Sequence, residues 1–185
     1  MPIVTLVGYR GTGKSTVARL LAERVAVPWA DADAVLEERV GCTIAQLVHD
    51  RGEMAFRDAE SEVLASLLTT CPGVVATGGG VVLRESNRRL LAERGRPIVW
   101  LTAPVATIRS RLAADPGTLD RRPALQGDDV LAEVEAAVLQ REPLYRACAD
   151  WSLDTSECAP EAVAERIAAW LKYPAGAAHR GRPPC

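Results

Sequence analysis

The chain has 185 residues, 48% hydrophobic and 25% charged, a composition typical of one folded domain with a substantial core. Its formal net charge of −2 at pH 7 argues against a basic surface, so we expect neither a nucleic acid nor a membrane as a partner. Its five cysteines lack C-x-x-C spacing and its N-terminus lacks a signal-sequence pattern, so we predict reduced thiols and a cytoplasmic location.

Short apolar runs alternate with helix-patterned stretches along the chain. Strands are predicted at residues 3–7, 28–31, 74–77, 98–101 and 151–154. Helices are predicted at residues 14–25, 33–40, 44–50, 53–69, 85–93, 105–113, 129–141 and 160–171. Because the strands are nearly all apolar and are separated by helices, we expect a three-layer α/β/α fold with a five-stranded parallel sheet.

Two segments interrupt this alternation. Residues 114–125 are polar, contain proline and glycine, and are basic near their end, which predicts a mobile lid between two helices. Residues 174–185 show no periodicity and predict a disordered tail. We therefore expect a single domain over residues 1–173.

The first strand leads into the sequence GYRGTGKST at residues 8–16, and a helix follows directly. This G-x-x-x-x-G-K-S pattern between a strand and a helix is typical of a loop that binds nucleotide phosphates through backbone N–H groups and the helix dipole. Lys14 is expected at the β- and γ-phosphates and the Ser15 hydroxyl at Mg²⁺. A glycine-rich turn that precedes a helix by chance is the alternative, and the fixed spacing makes it weak. Only two of the 22 basic residues are lysines, and one of them is Lys14.

Two aspartates, Asp31 and Asp33, follow the second predicted strand. Residues i and i+2 of a strand point the same way, so both carboxylates could face one site. One would hold Mg²⁺, directly or through water, and the other could orient or deprotonate an acceptor hydroxyl. The alternative is that Asp33 is the N-cap of the next helix, a role that does not exclude the first.

Three glycines, Gly78 to Gly80, follow the third predicted strand. They would let a ligand lie directly on the backbone, although a flexible turn is an equally simple explanation. Arg57 and Arg141 would together suit a planar carboxylate, because each guanidinium can bind it with two hydrogen bonds. The alternatives are an intrahelical ion pair of Arg57 with Glu60 and a surface position for Arg141. Within the lid, Arg122 could stabilise charge on a transferred phosphoryl group.

Taken together and in this order, these motifs resemble the shikimate kinase family. The resemblance covers roughly residues 1–171, and it is carried by GYRGTGKST, DADAVLEE, IAQLVHDRGEMAFRDAE, VVATGGGVVL, RRPAL and REPLYRACAD. It implies a parallel sheet of the nucleoside-monophosphate-kinase type and transfer of the ATP γ-phosphoryl group to the 3-hydroxyl of shikimate, in the pathway to aromatic amino acids. It also implies a monomer.

The resemblance also assigns a role to each matching residue. It implies that the ATP phosphates are bound by Gly11, Thr12, Gly13, Lys14, Ser15 and Thr16. It implies that Ser15 coordinates Mg²⁺ and that Asp31 assists through water. Asp33 would hold shikimate hydroxyls and act as base, Arg57 and Arg141 would bind the carboxylate, Gly79 would contact the ring, and Arg122 would reach ATP from the lid.

The chain departs from the family pattern on the side of the adenine base. The lid reads RPAL where RPLL is usual, and Cys158 stands where many members have arginine. The resemblance therefore leaves open whether Arg109 or Arg111 stacks on adenine.

Three other classes of nucleotide-binding protein share the phosphate loop. A regulatory GTPase needs an N-K-x-D motif, but the only asparagine, Asn87, precedes Arg88. A motor or remodelling ATPase needs an apolar strand that ends in Asp-Glu, and the sequence has none. A kinase for gluconate or a nucleoside monophosphate remains as the alternative, although it would not need the arginine pair combined with the TGGG motif.

Overall fold

A computed structural model describes residues 1–114 and 130–172, with the backbone alone for residues 130–133. The part it describes contains a five-stranded parallel sheet in the order β2-β3-β1-β4-β5. The strands are β1 (Val4–Val7), β2 (Trp29–Asp31), β3 (Val74–Ala76), β4 (Ile98–Thr102) and β5 (Trp151–Asp154). This confirms the predicted sheet. Almost all of the predicted lid, including Arg122, and the predicted tail lie outside the described residues.

The described residues also contain seven helices and one 3₁₀ turn, and all of these except the last helix lie between strands. The helices are α1 (Lys14–Val25), α2 (Ala32–Val40), α3 (Ile44–Thr70), α4 (Glu85–Arg94), α5 (Val105–Ala114), α6 (Val130–Cys148) and α7 (Pro160–Lys172), and the turn spans Val81–Leu83. Non-helical geometry at Gly52, with φ 82° and ψ 166°, kinks α3. The kink separates the two helices predicted at residues 44–50 and 53–69.

The predicted end of α6 at residue 141 is wrong, because this helix continues through Pro143 to Cys148. A proline inside a helix removes one backbone hydrogen bond and crowds the preceding turn. Here the extra turns bury Tyr145 and Cys148 against the sheet. Their burial offsets the cost of the proline, and sequence periodicity alone does not report it.

The sheet has a separate apolar layer on each face. Leu6 of β1 and Leu101 of β4 pack against α1 and α7 on one side. Val7 and Trp100 point to the other side, where they meet helices that include α3, α4 and α6. This alternation along the strands is what a sheet buried on both faces requires, and it confirms the three-layer α/β/α arrangement.

The strand order decides which loops meet at the carboxyl edge of the sheet. β1 lies between β3 and β4, and β2 lies next to β3. In register, Ala76 of β3 pairs with both Leu6 of β1 and Asp31 of β2. The loops that follow β1, β2 and β3 therefore come together at one place, where parallel α/β sheets bind ligands. No helix in the described ranges is long and apolar enough to cross a membrane.

Candidate active site

The loop after β1 leaves the N-terminus of α1 open. The helix begins at Lys14, and its N-cap Gly13 is left-handed, with no side chain of the described residues capping the helix. The Thr12 hydroxyl and backbone N–H both donate to the Tyr9 carbonyl, at 2.7 and 3.3 Å, which folds the loop back on itself. Uncapped N–H groups and the positive end of the helix dipole favour an anion at this point.

Lys14 is held over this loop. Its Nζ donates to the Tyr9 carbonyl at 3.0 Å, and the residue is only 8% exposed. An ammonium buried to this extent is unusual for lysine, which generally keeps its charge in water. The fold therefore places a positive charge beside the N-terminus of α1, where it adds to the attraction for phosphate.

Asp31 connects β2, α2 and the phosphate loop. One carboxylate oxygen accepts from the backbone N–H groups of Asp33 and Ala34, at 2.9 and 3.2 Å, so Asp31 is the N-cap of α2. The other oxygen accepts from the Ser15 hydroxyl. The hydroxyl and carboxylate that the sequence predicts at Mg²⁺ are thus in direct contact.

The assignment of the N-cap to Asp33 is therefore wrong. The helix begins at Ala32, one residue earlier than predicted, because the strand ends at Asp31 and the Asp31 side chain caps it. Asp33 lies in the first helical turn and not on the strand, so the argument from strand alternation does not apply to it. The turn nevertheless brings the Asp33 carboxylate to the end of β3. A Cβ added to Gly78 would lie 2.7 Å from its Oδ1 and 2.7 Å from Glu60 Oε1.

Arg57 lies at the same glycine segment. Its guanidinium pairs with Glu60 at 2.7 Å, so the intrahelical ion pair offered as an alternative is present, and it also pairs with Glu53 at 3.2 Å. The side chain is only 12% exposed, and a Cβ at Gly80 would overlap the guanidinium. Burial by itself lowers the pKa of Arg57, but Glu60 and then Glu53 raise this pKa above its ordinary value. The ion pairs thus hold a buried cation against the glycine backbone.

Arg141 approaches the same segment from α6. Its Nη1 donates to the Gly79 carbonyl at 3.3 Å, and its guanidinium carbon lies 5.3 Å from the centroid of the Tyr9 ring. This differs from the solvated surface position that was the alternative. The two arginines come from α3 and α6, and they converge on adjacent glycines.

Tyr145 is a further residue of this site. It lies in the REPLYRACAD stretch that carries the family resemblance, but no role was predicted for it. It is 2% exposed, its ring stacks on Trp100 with centroids 6.0 Å apart, and its hydroxyl donates to the Gly79 carbonyl. Burial raises the pKa of Tyr145, so the phenol remains a proton donor. Its position four residues after Arg141, on the same helix face, was the available signal.

Replacing Tyr145 by phenylalanine tests whether this hydrogen bond orients Gly79 and Arg141. A neutral hydrogen bond is worth about 0.5–1.5 kcal/mol, so we expect kcat/KM for the acceptor to fall by roughly two- to tenfold in Tyr145→Phe. The apparent affinity for ATP should not change, because neither Tyr145 nor Gly79 is assigned to the nucleotide. Steady-state kinetics with each substrate varied in turn gives the answer. Equal losses for both substrates would indicate a general packing defect.

The two arginines considered for the adenine base, Arg109 and Arg111, make different contacts. Arg111 donates to the Gly11 carbonyl at 3.3 Å and to Thr155. Arg109 has a buried Nε with no hydrogen-bond partner among the described residues. Cys158 is partly buried, with its sulfur 4.0 Å from Arg166 Nη1. Arg111 is therefore the arginine that contacts the phosphate loop.

The oxygen atoms beside the phosphate loop suit a cation that takes most of its ligands from water and from the nucleotide. Within the described residues, no three histidine, cysteine, aspartate or glutamate side chains cluster as a metal site. Mg²⁺ usually takes one or two protein oxygens and completes its shell with water and substrate phosphates. The Ser15 hydroxyl beside the Asp31 carboxylate fits that pattern.

The phosphate loop at the carboxyl edge of a five-stranded parallel sheet, with helices on both faces, defines the class of P-loop nucleotide-binding proteins. The sequence model of the family described as "Shikimate kinase" matches residues 10–172. The chain belongs to the shikimate kinase family.

Individual relatives agree with this membership. A shikimate kinase of Rhodopirellula baltica is 45% identical over 82% of this chain and 80% of its own length. A shikimate kinase of Thermobifida fusca is 41% identical over 90% and 93% of the two chains. A solved shikimate kinase of Acinetobacter baumannii, in complex with shikimate, superposes with a TM-score of 0.84 at 34% identity, over 91% of each chain.

Proposed function

We propose that this protein transfers the γ-phosphoryl group of ATP to the 3-hydroxyl of shikimate, giving shikimate 3-phosphate and ADP in the pathway to aromatic amino acids. The observation that carries the choice of acceptor is the convergence of Arg57 and Arg141 on Gly79 and Gly80, beside the phosphate loop. Two guanidinium groups at one glycine segment suit a small acceptor with a carboxylate. The protein acts as a monomer in the cytoplasm, with no nucleic acid or membrane partner.

On the nucleotide side, the backbone from Gly11 to Thr16 cradles the phosphates, and Lys14 neutralises charge on the β- and γ-phosphates. Ser15 and Asp31 would hold Mg²⁺, Asp31 through water. The cation, when bound, neutralises phosphate charge and aligns the transferred group. Arg122, from the lid, adds positive charge at the phosphoryl group.

On the acceptor side, Asp33 holds the hydroxyl that attacks and takes its proton. The Asp33 carboxylate lies at Gly78, one residue before the glycine whose carbonyl binds Arg141 and Tyr145. The carboxylate of shikimate lies between Arg57 and Arg141, and its ring contacts Gly79. This orientation fixes the ring at one end and presents the reacting hydroxyl at the other.

The arginine pair gives the sharpest test of the acceptor. Charged hydrogen bonds are worth about 1.5–3 kcal/mol each, so Arg57→Gln and Arg141→Gln should each lower kcat/KM for shikimate by roughly ten- to more than a hundredfold. Lysine at either position should restore activity only in part, because an ammonium keeps the charge but loses the two-pronged geometry. ATP binding should be unaffected.

The matched comparison uses shikimate and an analogue whose carboxylate is replaced by a neutral amide. The unmodified protein should discriminate strongly against the amide, and each arginine variant should discriminate less. Arg84→Gln is a suitable control, since Arg84 is partly exposed, pairs with Asp58 at 2.7 Å and is not assigned to either substrate. If the Arg57 and Arg141 variants kept the full preference for shikimate, the pair would not bind the carboxylate.

A kinase for another small hydroxylated acceptor, such as gluconate or a nucleoside monophosphate, is the alternative. A solved gluconokinase of Sinorhizobium meliloti shares the fold, with a TM-score of 0.56, but only 16% identity. Because gluconate also carries a carboxylate, the amide comparison does not exclude it. A panel of acceptors, with turnover detected through the ADP formed, can exclude gluconate. We expect turnover with shikimate and with no other acceptor in the panel.

A further inference from the structure

We infer that Thr155 is a positioning residue, which orients the phosphate loop through the Thr12 carbonyl and thereby presents the Gly13 N–H to the nucleotide phosphates. This inference rests on the proposed binding of ATP at the loop. Thr155 follows β5 directly and is far from the loop in sequence. It is only 3% exposed, which is unusual for a threonine outside a strand or helix.

The Thr155 hydroxyl is at the centre of a polar cluster that joins three segments. It lies 3.2 Å from the Thr12 carbonyl in the phosphate loop and 3.2 Å from the Thr102 carbonyl at the end of β4. It also accepts from Arg111 Nη1 at 2.9 Å. The hydroxyl thus uses both its donor and its acceptor capacity inside the protein.

Arg111 strengthens the same cluster from α5. Its Nη2 donates to the Thr155 carbonyl at 2.6 Å, and its Nη1 donates to the Gly11 carbonyl at 3.3 Å. Thr155 itself is fixed to the sheet, since its backbone N–H donates to the Thr102 carbonyl at 2.9 Å. Two consecutive carbonyls of the loop, those of Gly11 and Thr12, are therefore held by groups anchored to β4, β5 and α5.

Holding the Thr12 carbonyl fixes the direction of the next N–H. The peptide bond is planar and trans, so the Thr12 C=O and the Gly13 N–H point in opposite directions. With the carbonyl turned toward Thr155, the Gly13 N–H points away from Thr155. The loop is open at this residue, because a Cβ built on Gly13 would meet no described residue within 4 Å apart from its neighbours along the chain. A preorganised donor of this kind binds phosphate without a cost of reorganisation.

The test separates the phosphates from the base. Tripolyphosphate carries the phosphates alone, and its dissociation constant can be measured by calorimetry beside that of ATP. In Thr155→Val, which keeps the shape but removes the hydroxyl, we expect both constants to rise by roughly tenfold. Binding of shikimate should be unchanged, and Thr155→Ser should bind both phosphate ligands almost as the unmodified protein does.

A second buried threonine provides the control for stability. The Thr77 hydroxyl donates to the Leu6 carbonyl at 3.0 Å, so Thr77→Val also loses a buried bond, but not one to the loop. Thr77→Val should lower Tm by about as much as Thr155→Val does. It should leave the dissociation constant of tripolyphosphate unchanged. Should Thr155→Val fail to fold, Arg111→Gln removes the bonds to Gly11 and Thr155 from a partly exposed position, and weaker tripolyphosphate binding is again expected.

Three results would overturn the inference. The first is unchanged tripolyphosphate binding in folded Thr155→Val, or in Arg111→Gln where the valine variant does not fold. The second is weakened ATP binding with unchanged tripolyphosphate binding, which would assign Thr155 to the base. The third is a serine variant as weak as the valine variant. Failure of the unmodified protein to bind either phosphate ligand would instead refute the proposed function.

Discussion

Lys14→Met should nearly abolish phosphoryl transfer while leaving the protein folded. Removal of one preorganised electrostatic contact to a transition state costs about 10²–10³-fold in kcat, and Lys14 supplies a full charge in a buried position. The Nζ of Lys14 lies 3.0 Å from the Tyr9 carbonyl, within the loop that would hold the phosphates. Methionine has a similar length and keeps the apolar contacts of the stem.

The chain offers a matched control, because its only other lysine, Lys172, is exposed at the end of α7. Lys172→Met should have normal turnover, so a difference between the two variants reports position and not lysine content. Circular dichroism and Tm should show that both variants fold. Near-normal turnover in folded Lys14→Met would contradict the assignment of the phosphate loop.

The fold was largely predictable from the sequence, because its elements have strong local signals. The strands are short apolar runs, and the break in α3 occurs at Gly52, next to the predicted boundary. The continuation of α6 through Pro143 was not predictable, since it depends on the burial of Tyr145 and Cys148 against other elements. The proline lowers the local stability of the helix, and this effect can be read from the sequence. The tertiary packing that offsets it cannot.

The candidate site likewise has a part that could be predicted from the sequence and a part that could not. The phosphate loop is contiguous along the chain, so its motif can be recognised in the amino-acid sequence alone. The bonds from Tyr145 to Gly79 and from Thr155 to Thr12 join residues 66 and 143 positions apart. A buried tyrosine or threonine has no sequence pattern that identifies such a partner. Only the strand order, with β1 between β3 and β4, brings these groups together.

The position of Asp33 was predicted by a partly wrong argument, and its role stays a prediction. The expectation that two carboxylates share the edge of the sheet agrees with their positions, but the geometry is a helical turn and not a strand. Asp31 caps α2 and accepts from Ser15, so it is occupied at the phosphate loop. Asp33, two residues later, is directed to the end of β3, beside Gly78.

Two carboxylates, those of Asp33 and Glu60, lie at Gly78. Glu60 Oε2 pairs with the Arg57 guanidinium at 2.7 Å, and Glu60 is 3% exposed. Glu60 thus helps to hold the arginine that we assign to the acceptor carboxylate, whereas the family resemblance places Asp33 at the acceptor hydroxyls. Asp33 is therefore the residue that we expect to accept the proton of the attacking hydroxyl.

Asp33→Asn should lower kcat by about 10²–10⁴-fold, the usual contribution of general base catalysis. Asparagine keeps the size of the side chain and can still donate and accept hydrogen bonds, so acceptor binding should weaken far less than turnover. The dissociation constant of ATP should barely change, because Asp33 is not assigned to the nucleotide. Asp58→Asn, which removes an exposed carboxylate paired with Arg84, is the control and should have normal turnover.

The measurement that decides is single-turnover phosphoryl transfer at saturating ATP and shikimate, which reports chemistry apart from binding and product release. A slow single turnover in Asp33→Asn, with Tm near that of the unmodified protein, is the expected result. A lower Tm with unchanged turnover would instead give Asp33 a structural role in the first turn of α2. A comparable loss in Glu60→Gln, with unchanged discrimination between shikimate and its amide, would instead indicate that Glu60 is the base.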